Sequence, residues 1–210
     1  GKNLVGAFHQ PAGVIADVNF LATLEKKEIA DGLSEILKCA VISGEKSLAF
    51  LEEHADELLA ASPNAAEKAV YSALKTKAAI VARDERDEGI RMRLNFGHTI
   101  GHAFEAALEY RGISHGEAVS AGMVAESLLA ERMGICGPSV RKRIESAVEK
   151  FGLPTRFPHA DINAALAAMA KDKKASGGVL RFALPARIGK VKIVEQTDVN
   201  LISEIIRRSS

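Results

Sequence analysis

Apolar positions recur at helical spacing along most of this chain. In KEIADGLSEILKCAVI (27–42), Ile29, Leu33, Ile36, Leu37 and Ala40 fall three or four apart, which puts them on one face of a helix. GEKSLAFLEEHADELLAA (44–61) is amphipathic and predicts a second helix that ends before a Ser-Pro-Asn turn. NAAEKAVYSALKTKAAIVARD (64–84) predicts a long third helix with Asn64 as its cap. Further helices are predicted over 91–110, over 114–134 with a terminal Gly as C-cap, over 138–152 with Pro first and Gly last, and over 161–173. VIADV (14–18) reads as one short strand, VLRFALPARIG and KVKIVEQ (179–196) alternate like a hairpin, and NLISEIIRR closes the chain. The expected class is mainly α: several helices with a small β-hairpin near the C-terminus, and no internal repeat or low-complexity tract.

One helix breaks the apolar pattern. In RMRLNFGHTIGHAFEAALEY (91–110), Arg91, Asn95, His98, His102 and Glu105 follow at steps of four, three, four and three, so a helix would carry all five on one side. Two histidines four apart can share a metal ion, which makes His98 and His102 the pair that spacing alone favours. Thr-Ile-Gly lies between them, without the glutamate of the HExxH zinc-protease pattern, and two helix-face histidines hydrogen-bonded to neighbours would look the same. His115, in SHGEAV, is either a third imidazole for a metal or part of a helix start where Glu117 suits the dipole. Glu35 and Lys38 stand three apart in an apolar helix, as a buried ion pair or as a carboxylate ligand beside a substrate-binding ammonium. Lys77, Arg91, Lys173 and Lys174 are ordinary solvated charges one by one; together, beside a divalent ion, they suit a small and strongly anionic substrate.

Composition narrows the setting. The chain has 210 residues, 47% hydrophobic and 26% charged, enough for a sizeable core. A net charge of +1 argues against nucleic acid or a membrane surface as partner. No apolar run reaches the ~18 residues a spanning helix needs, and no signal peptide is expected. Cys39 and Cys136, both in apolar surroundings, read as free thiols in a reducing compartment, and the expected location is the cytoplasm. The chain opens without Met, in the turn-rich GKNLVGAFHQPAGVIADVNF, which reads like the middle of a longer protein.

Several of these segments together resemble the C-terminal half of 3-dehydroquinate synthase: GKNLVGAFHQP, FLATL, GLSEILK, KAAIVARDERDEGIRMRLNFGHTIGHAFE, HGEAVSAGM and the late DKKASGG, in order across nearly the whole chain. The resemblance implies a helical metal- and substrate-binding domain over 1–210. It also implies Zn2+ (or Co2+) on Glu35, His98 and His115, in place of the simple His98–His102 pairing. His102 then becomes a catalytic proton-handling residue, with Lys38 and Asn95 also catalytic. Substrate contacts carried over by motif are Asn3, Lys38, Lys77, Arg91, Asn95, His102 and one of Lys173 and Lys174. Lys2 and the turn Phe20, Leu21, Ala22 and Thr23 match segments that touch NAD. Ser34 stands where the family usually has Ala. The implied reaction converts 3-deoxy-D-arabino-heptulosonate 7-phosphate to 3-dehydroquinate and phosphate, in the shikimate pathway of aromatic amino-acid biosynthesis. It runs by transient oxidation with NAD, phosphate elimination, reduction and aldol closure. The family's N-terminal NAD-binding Rossmann-like half, with its glycine-rich loop, has no counterpart here, so this chain alone is expected to be inactive; that half, a sugar-phosphate substrate and a homodimeric copy are the expected partners. Related sugar-phosphate cyclases, metal-dependent polyol dehydrogenases and a non-catalytic helical interaction domain are the other readings.

Overall fold

The computed structural model describes residues 9–86, 89–109, 111–157, 161–175, 179–196 and 198–209, with side chains described except at 172–175. The chain runs through a 3₁₀ turn (Val18–Thr23) into α1 (Lys26–Ser43), α2 (Glu45–Glu53), α3 (Ala55–Leu59) and α4 (Pro63–Val81). A second 3₁₀ turn (Ile90–Asn95) precedes α5 (His98–Ala107), followed by α6 (His115–Arg132), α7 (Pro138–Lys150) and α8 (Ile162–Ala175). The hairpin β1 (Leu180–Arg187) and β2 (Lys190–Gln196) and helix α9 (Val199–Arg208) complete the order. The mainly α class with one late hairpin is the architecture the periodicity predicts.

Local departures have local causes. Residues 14–17 form no strand, and Val18 already begins the first 3₁₀ turn. The predicted helix over 44–61 is broken at His54, where φ −107° and ψ 24° end α2 and start α3. Pro63, not Asn64, opens α4, since its missing N–H costs nothing at the first helical position. The predicted helix over 91–110 divides at Gly97, whose φ of 83° is left-handed. Arg91 and Asn95 therefore sit on a separate turn, off the face carried by His98, His102 and Glu105.

Helix α6 is the axis of the molecule. Thirteen of its eighteen residues are buried, including Gly116, Ala118, Ala121, Gly122 and Ala125, whose small side chains let neighbours approach on every side. One face (Val119, Met123, Val124) joins a core with Leu33, Leu37, Val41, Leu48 and Ile144. The opposite face (Ala121, Ala125, Leu129) joins a second core with Ile100, Phe104, Phe157 and Ile205. Strand β1 divides its side chains between the same cores: Ala183 faces the first, and Leu180, Phe182 and Leu184 face the second. The hairpin pairs antiparallel, with a register shift between Pro185 and Arg187. Its turn docks on the end of α1 through the Gly189 N–H, donated to the Val41 carbonyl at 2.8 Å.

Candidate functional site

Three helices meet where α6 begins, and glycines let them meet. A Cβ on Gly116 would lie 2.5 Å from the Asp31 Cα of α1. A Cβ on Gly122 would lie 2.0 Å from the Gly97 carbonyl oxygen, and one on Gly101 2.9 Å from the Ala118 carbonyl oxygen. α6 is thus in backbone contact with α1 on one side and with α5 on the other. The start of α6 is fixed as well: Ser114 and Glu117 form a reciprocal capping box, and Ser114 Oγ donates to Asp31 Oδ1 at 2.5 Å.

This packing brings together Glu35 of α1, His98 of α5 and His115 of α6. Glu35 Oε1 lies 3.3 Å from His98 Nε2 and 3.4 Å from His115 Nε2, and ligand atoms of all three fall within 4.8 Å of one another. Both imidazoles are anchored by their other nitrogen. His98 Nδ1 is 3.2 Å from the Phe96 carbonyl oxygen, which can only accept, and His115 Nδ1 is 3.1 Å from Glu105 Oε1. With a divalent ion at the common point, each ring would carry its proton on Nδ1 and offer its Nε2 lone pair there. Glu35 Oε1 is buried and has no hydrogen-bond partner, while Oε2 accepts from the buried Lys38 ammonium at 2.5 Å. Donors ~2.0–2.1 Å from a tetrahedral zinc stand about 3.3 Å apart, close to both separations of Glu35 from the two imidazoles. An orphaned carboxylate oxygen and two aimed nitrogens at that spacing fit a divalent ion.

Charge in the cluster is tightly balanced. Burial would raise the Glu35 carboxyl, but His115, His98 and Lys38 outweigh it and hold the group well below the usual carboxylate range. Donation to the Glu105 carboxylate, and then the Glu35 carboxylate beside it, push His115 up to about 9. Burial raises the Cys39 thiol, with the charges of Lys38 and Lys77 acting against it. Lys77 is exposed on α4, and its charge reaches Cys39, the neighbour of Lys38 on α1.

The other expected residues fall at varying places. His102 is half exposed, with its ring 5.1 Å from that of His98 and 6.0 Å from that of His115. Among the described residues no candidate metal group contains both His98 and His102; the second such group is His102, Glu105 and His115. Arg91 is half-buried, donating its Nη1 to the Glu85 carbonyl at 2.8 Å, and Asn95 is exposed two residues before Gly97. Phe20, Ala22 and Thr23 are exposed and Leu21 half-buried on the first 3₁₀ turn. Lys2 and Asn3, and the side chains of Lys173 and Lys174 in α8, lie outside what the structure describes. Three supporting residues went unassigned from sequence: Asp31 and Glu105, already named, and Glu126, a fully buried carboxylate in α6. Burial pushes Glu126 up to about 8, against backbone N–H groups of Gly97, Ile100 and Thr99 that favour its charged form. Glu126 had a signal, a lone charge inside the apolar run GMVAESLLA.

Fold and cluster define a helical domain arranged around a Glu–His–His group, and known proteins share the fold. A solved 2-epi-5-epi-valiolone synthase from Streptomyces hygroscopicus subsp. jinggangensis, with NAD+ and Zn2+ bound, superposes with a TM-score of 0.87 at 27% identity, over 99% of this chain and 58% of its own. A 2-deoxy-scyllo-inosose synthase complexed with carbaglucose-6-phosphate, NAD+ and Co2+ also reaches 0.87, at 26% identity, over 100% and 60%. The family model for the 3-dehydroquinate synthase C-terminal region matches residues 32–175, and that for the N-terminal region matches 1–31, so the two meet inside α1. The 3-dehydroquinate synthase of Acidithiobacillus ferrooxidans is 42% identical over 207 residues, covering 99% of this chain and 57% of that protein. That of Idiomarina loihiensis is 41% identical over 206 residues, covering 98% and 58%. The chain belongs to the 3-dehydroquinate synthase family. It spans less than three-fifths of the length of these relatives.

Proposed function

We propose that this chain is the metal- and substrate-binding part of a 3-dehydroquinate synthase, converting 3-deoxy-D-arabino-heptulosonate 7-phosphate to 3-dehydroquinate and phosphate. The observation that carries the proposal is the convergence of the Glu35 oxygen and two anchored imidazole nitrogens, in a chain about 40% identical to enzymes of that name. Glu35, His98 and His115 would hold the divalent ion, zinc by preference for nitrogen-rich ligation. When bound, that ion supplies Lewis-acid polarisation of substrate oxygens and NAD supplies hydride transfer.

The chain's own side chains do the rest. Lys38, buried against Glu35, presents a fixed ammonium to an anionic substrate. Lys77, Arg91, Asn95, Asn3 and one of Lys173 and Lys174 supply the remaining donors to phosphate, carboxylate and hydroxyls. His102 is exposed enough to meet substrate, and imidazole is the side chain suited to proton transfer near neutral pH, so it moves the proton of a substrate hydroxyl. The exposed turn Phe20–Thr23 and Lys2 border the NAD site, which the N-terminal half completes. The exposed apolar Val14, Ile15 and Phe20 leave surface for that half, and the whole protein is read as a homodimer. The free thiols of Cys39 and Cys136 agree with a reducing cytoplasm, and among the described residues no helix is long and apolar enough to cross a membrane.

The 210-residue chain alone should not turn over, because hydride transfer needs the nicotinamide held against the substrate carbon. The test is product formation by the whole protein and by this chain. Dehydroquinate from the whole protein alone supports the proposal; a different cyclitol product from the whole protein, or turnover by this chain by itself, defeats the corresponding part.

A further inference from the structure

The N-terminus of α5 has four backbone N–H groups without helical partners, and Gly97, its cap, has no side chain to satisfy them. The acceptor comes from another helix. Glu126 of α6, fully buried, accepts from the Gly97 N–H with Oε2 at 2.7 Å and from the Ile100 N–H with Oε1 at 3.2 Å. These two donors bracket His98, whose Nδ1 meets the carbonyl of Phe96 just before them. The backbone on both sides of the imidazole is therefore held by one carboxyl group.

We propose that Glu126 is a positioning residue for the metal: by capping α5 from α6, it fixes the direction of His98 Nε2 toward Glu35. This rests on the reading of Glu35, His98 and His115 as the metal ligands. An apolar residue at 126 would leave two buried N–H groups unpaired, and the first turn of α5 would relax to find other acceptors. His98 is the first residue of that turn, so its Nε2 would turn away from Glu35 Oε1, 3.3 Å from it here. A carboxyl group that served only the core would affect stability alone; one that aims a ligand must also affect affinity for the ion.

The test measures Co2+ and Zn2+ affinity of the whole protein by visible absorption and competition, beside thermal stability. Glu126→Leu should weaken binding about 10–100-fold, the usual loss when support behind a ligand is removed. Glu126→Asp, which retracts the oxygens by about one bond length, should weaken it in the same direction and serves if Leu prevents folding. Glu126→Gln keeps one carbonyl acceptor at full reach but sets its NH2 against the other N–H, so it should restore binding only in part, to between the Leu variant and the parent. Ile205→Ala, on α9 in the second core, gives a variant of lowered stability that keeps the Glu126 carboxyl. Binding by the folded Leu or Asp variant within two-fold of the parent overturns the inference, as does an equal loss in Ile205→Ala. His98→Ala separates the two claims: if it too binds the ion like the parent, the ligand reading itself has failed.

Discussion

Replacing Gly122 by Ala tests how the site is assembled. Its new Cβ would stand 2.0 Å from the Gly97 oxygen, 2.9 Å from the Gly97 carbonyl carbon and 3.1 Å from the Gly101 nitrogen. Ordinary contact begins near ~3.5 Å, so the two helices must part by more than ~1 Å, and every atom in the way is backbone. Overpacking of this kind costs ~1–3 kcal/mol. A backbone displacement of more than ~1 Å belongs to the upper part of that range, ~2–3 kcal/mol, and Ala recovers up to ~1 kcal/mol of helix propensity, leaving a net loss of about 1–2 kcal/mol. For a chain of this size that lowers Tm by about 2–8 °C. Gly32 supplies the opposite case, also within a helix but with nothing within 4 Å of where an added methyl would lie. Gly32→Ala should therefore raise stability by ~0.5–1 kcal/mol. Thermal unfolding followed by circular dichroism, with urea titration as a second measure, gives both numbers. Equal or greater stability for Gly122→Ala would refute the idea that α5 and α6 are held at backbone contact.

The remaining expectations concern the site. Glu35→Gln, His98→Ala and His115→Ala should each lower metal content, while His102→Ala keeps it near normal and slows turnover by ~10²–10⁴-fold; loss from His102→Ala with retention in His115→Ala would reinstate the His98–His102 pair. Glu105→Gln should weaken metal binding by ~10–100-fold through the ring of His115, and unchanged affinity would remove Glu105 from that role. For pH, the Glu126 carboxyl is raised from 4.5 unfolded to about 8 folded, so its contribution to stability is full below about 4.5 and is lost as pH rises through 8. Urea unfolding at pH 5 and pH 9 should show the parent losing stability relative to Glu126→Gln at the higher pH; a constant difference between the two proteins would count against it.

How far the sequence reveals the fold depends on whether a signal is local. The faces of α1, α7 and α9 and the alternation of the hairpin are properties of neighbouring residues, and periodicity finds them. The break at Gly97 is harder to see, because Arg91 and Asn95 continue the helical spacing across it. A glycine in a helix-like run admits either a helix or a left-handed turn, and here packing against Met123 and Val119 selects the turn. Ile29, Leu33 and Leu37 mark α1 as buried, but they do not say that Glu35, between them, meets α5 and α6.

The same distinction explains why spacing alone favours His98 with His102. Residues four apart are neighbours on any helix, and these two rings do come within 5.1 Å, edge to face. Proximity of rings is not convergence of lone pairs. His98 turns its Nδ1 to the Phe96 carbonyl, so its Nε2 points across to α1, where Glu35 stands, rather than along α5. His115 arrives from α6 with its Nδ1 on Glu105, a residue of the same polar helix face that carries His98 and His102. Glu105 thus belongs to that face for a reason spacing does not show: it holds a histidine from a different helix. What assembles the three donors is the pair of close approaches at Gly116 and Gly122, one to α1 and one to α5. Those glycines are visible in HGEAVSAGM, but what each one faces is a tertiary fact. A side chain at such a glycine should cost stability, whereas a histidine nearby should be exchanged at the cost of metal binding or turnover, and that contrast separates the frame of the site from its chemistry.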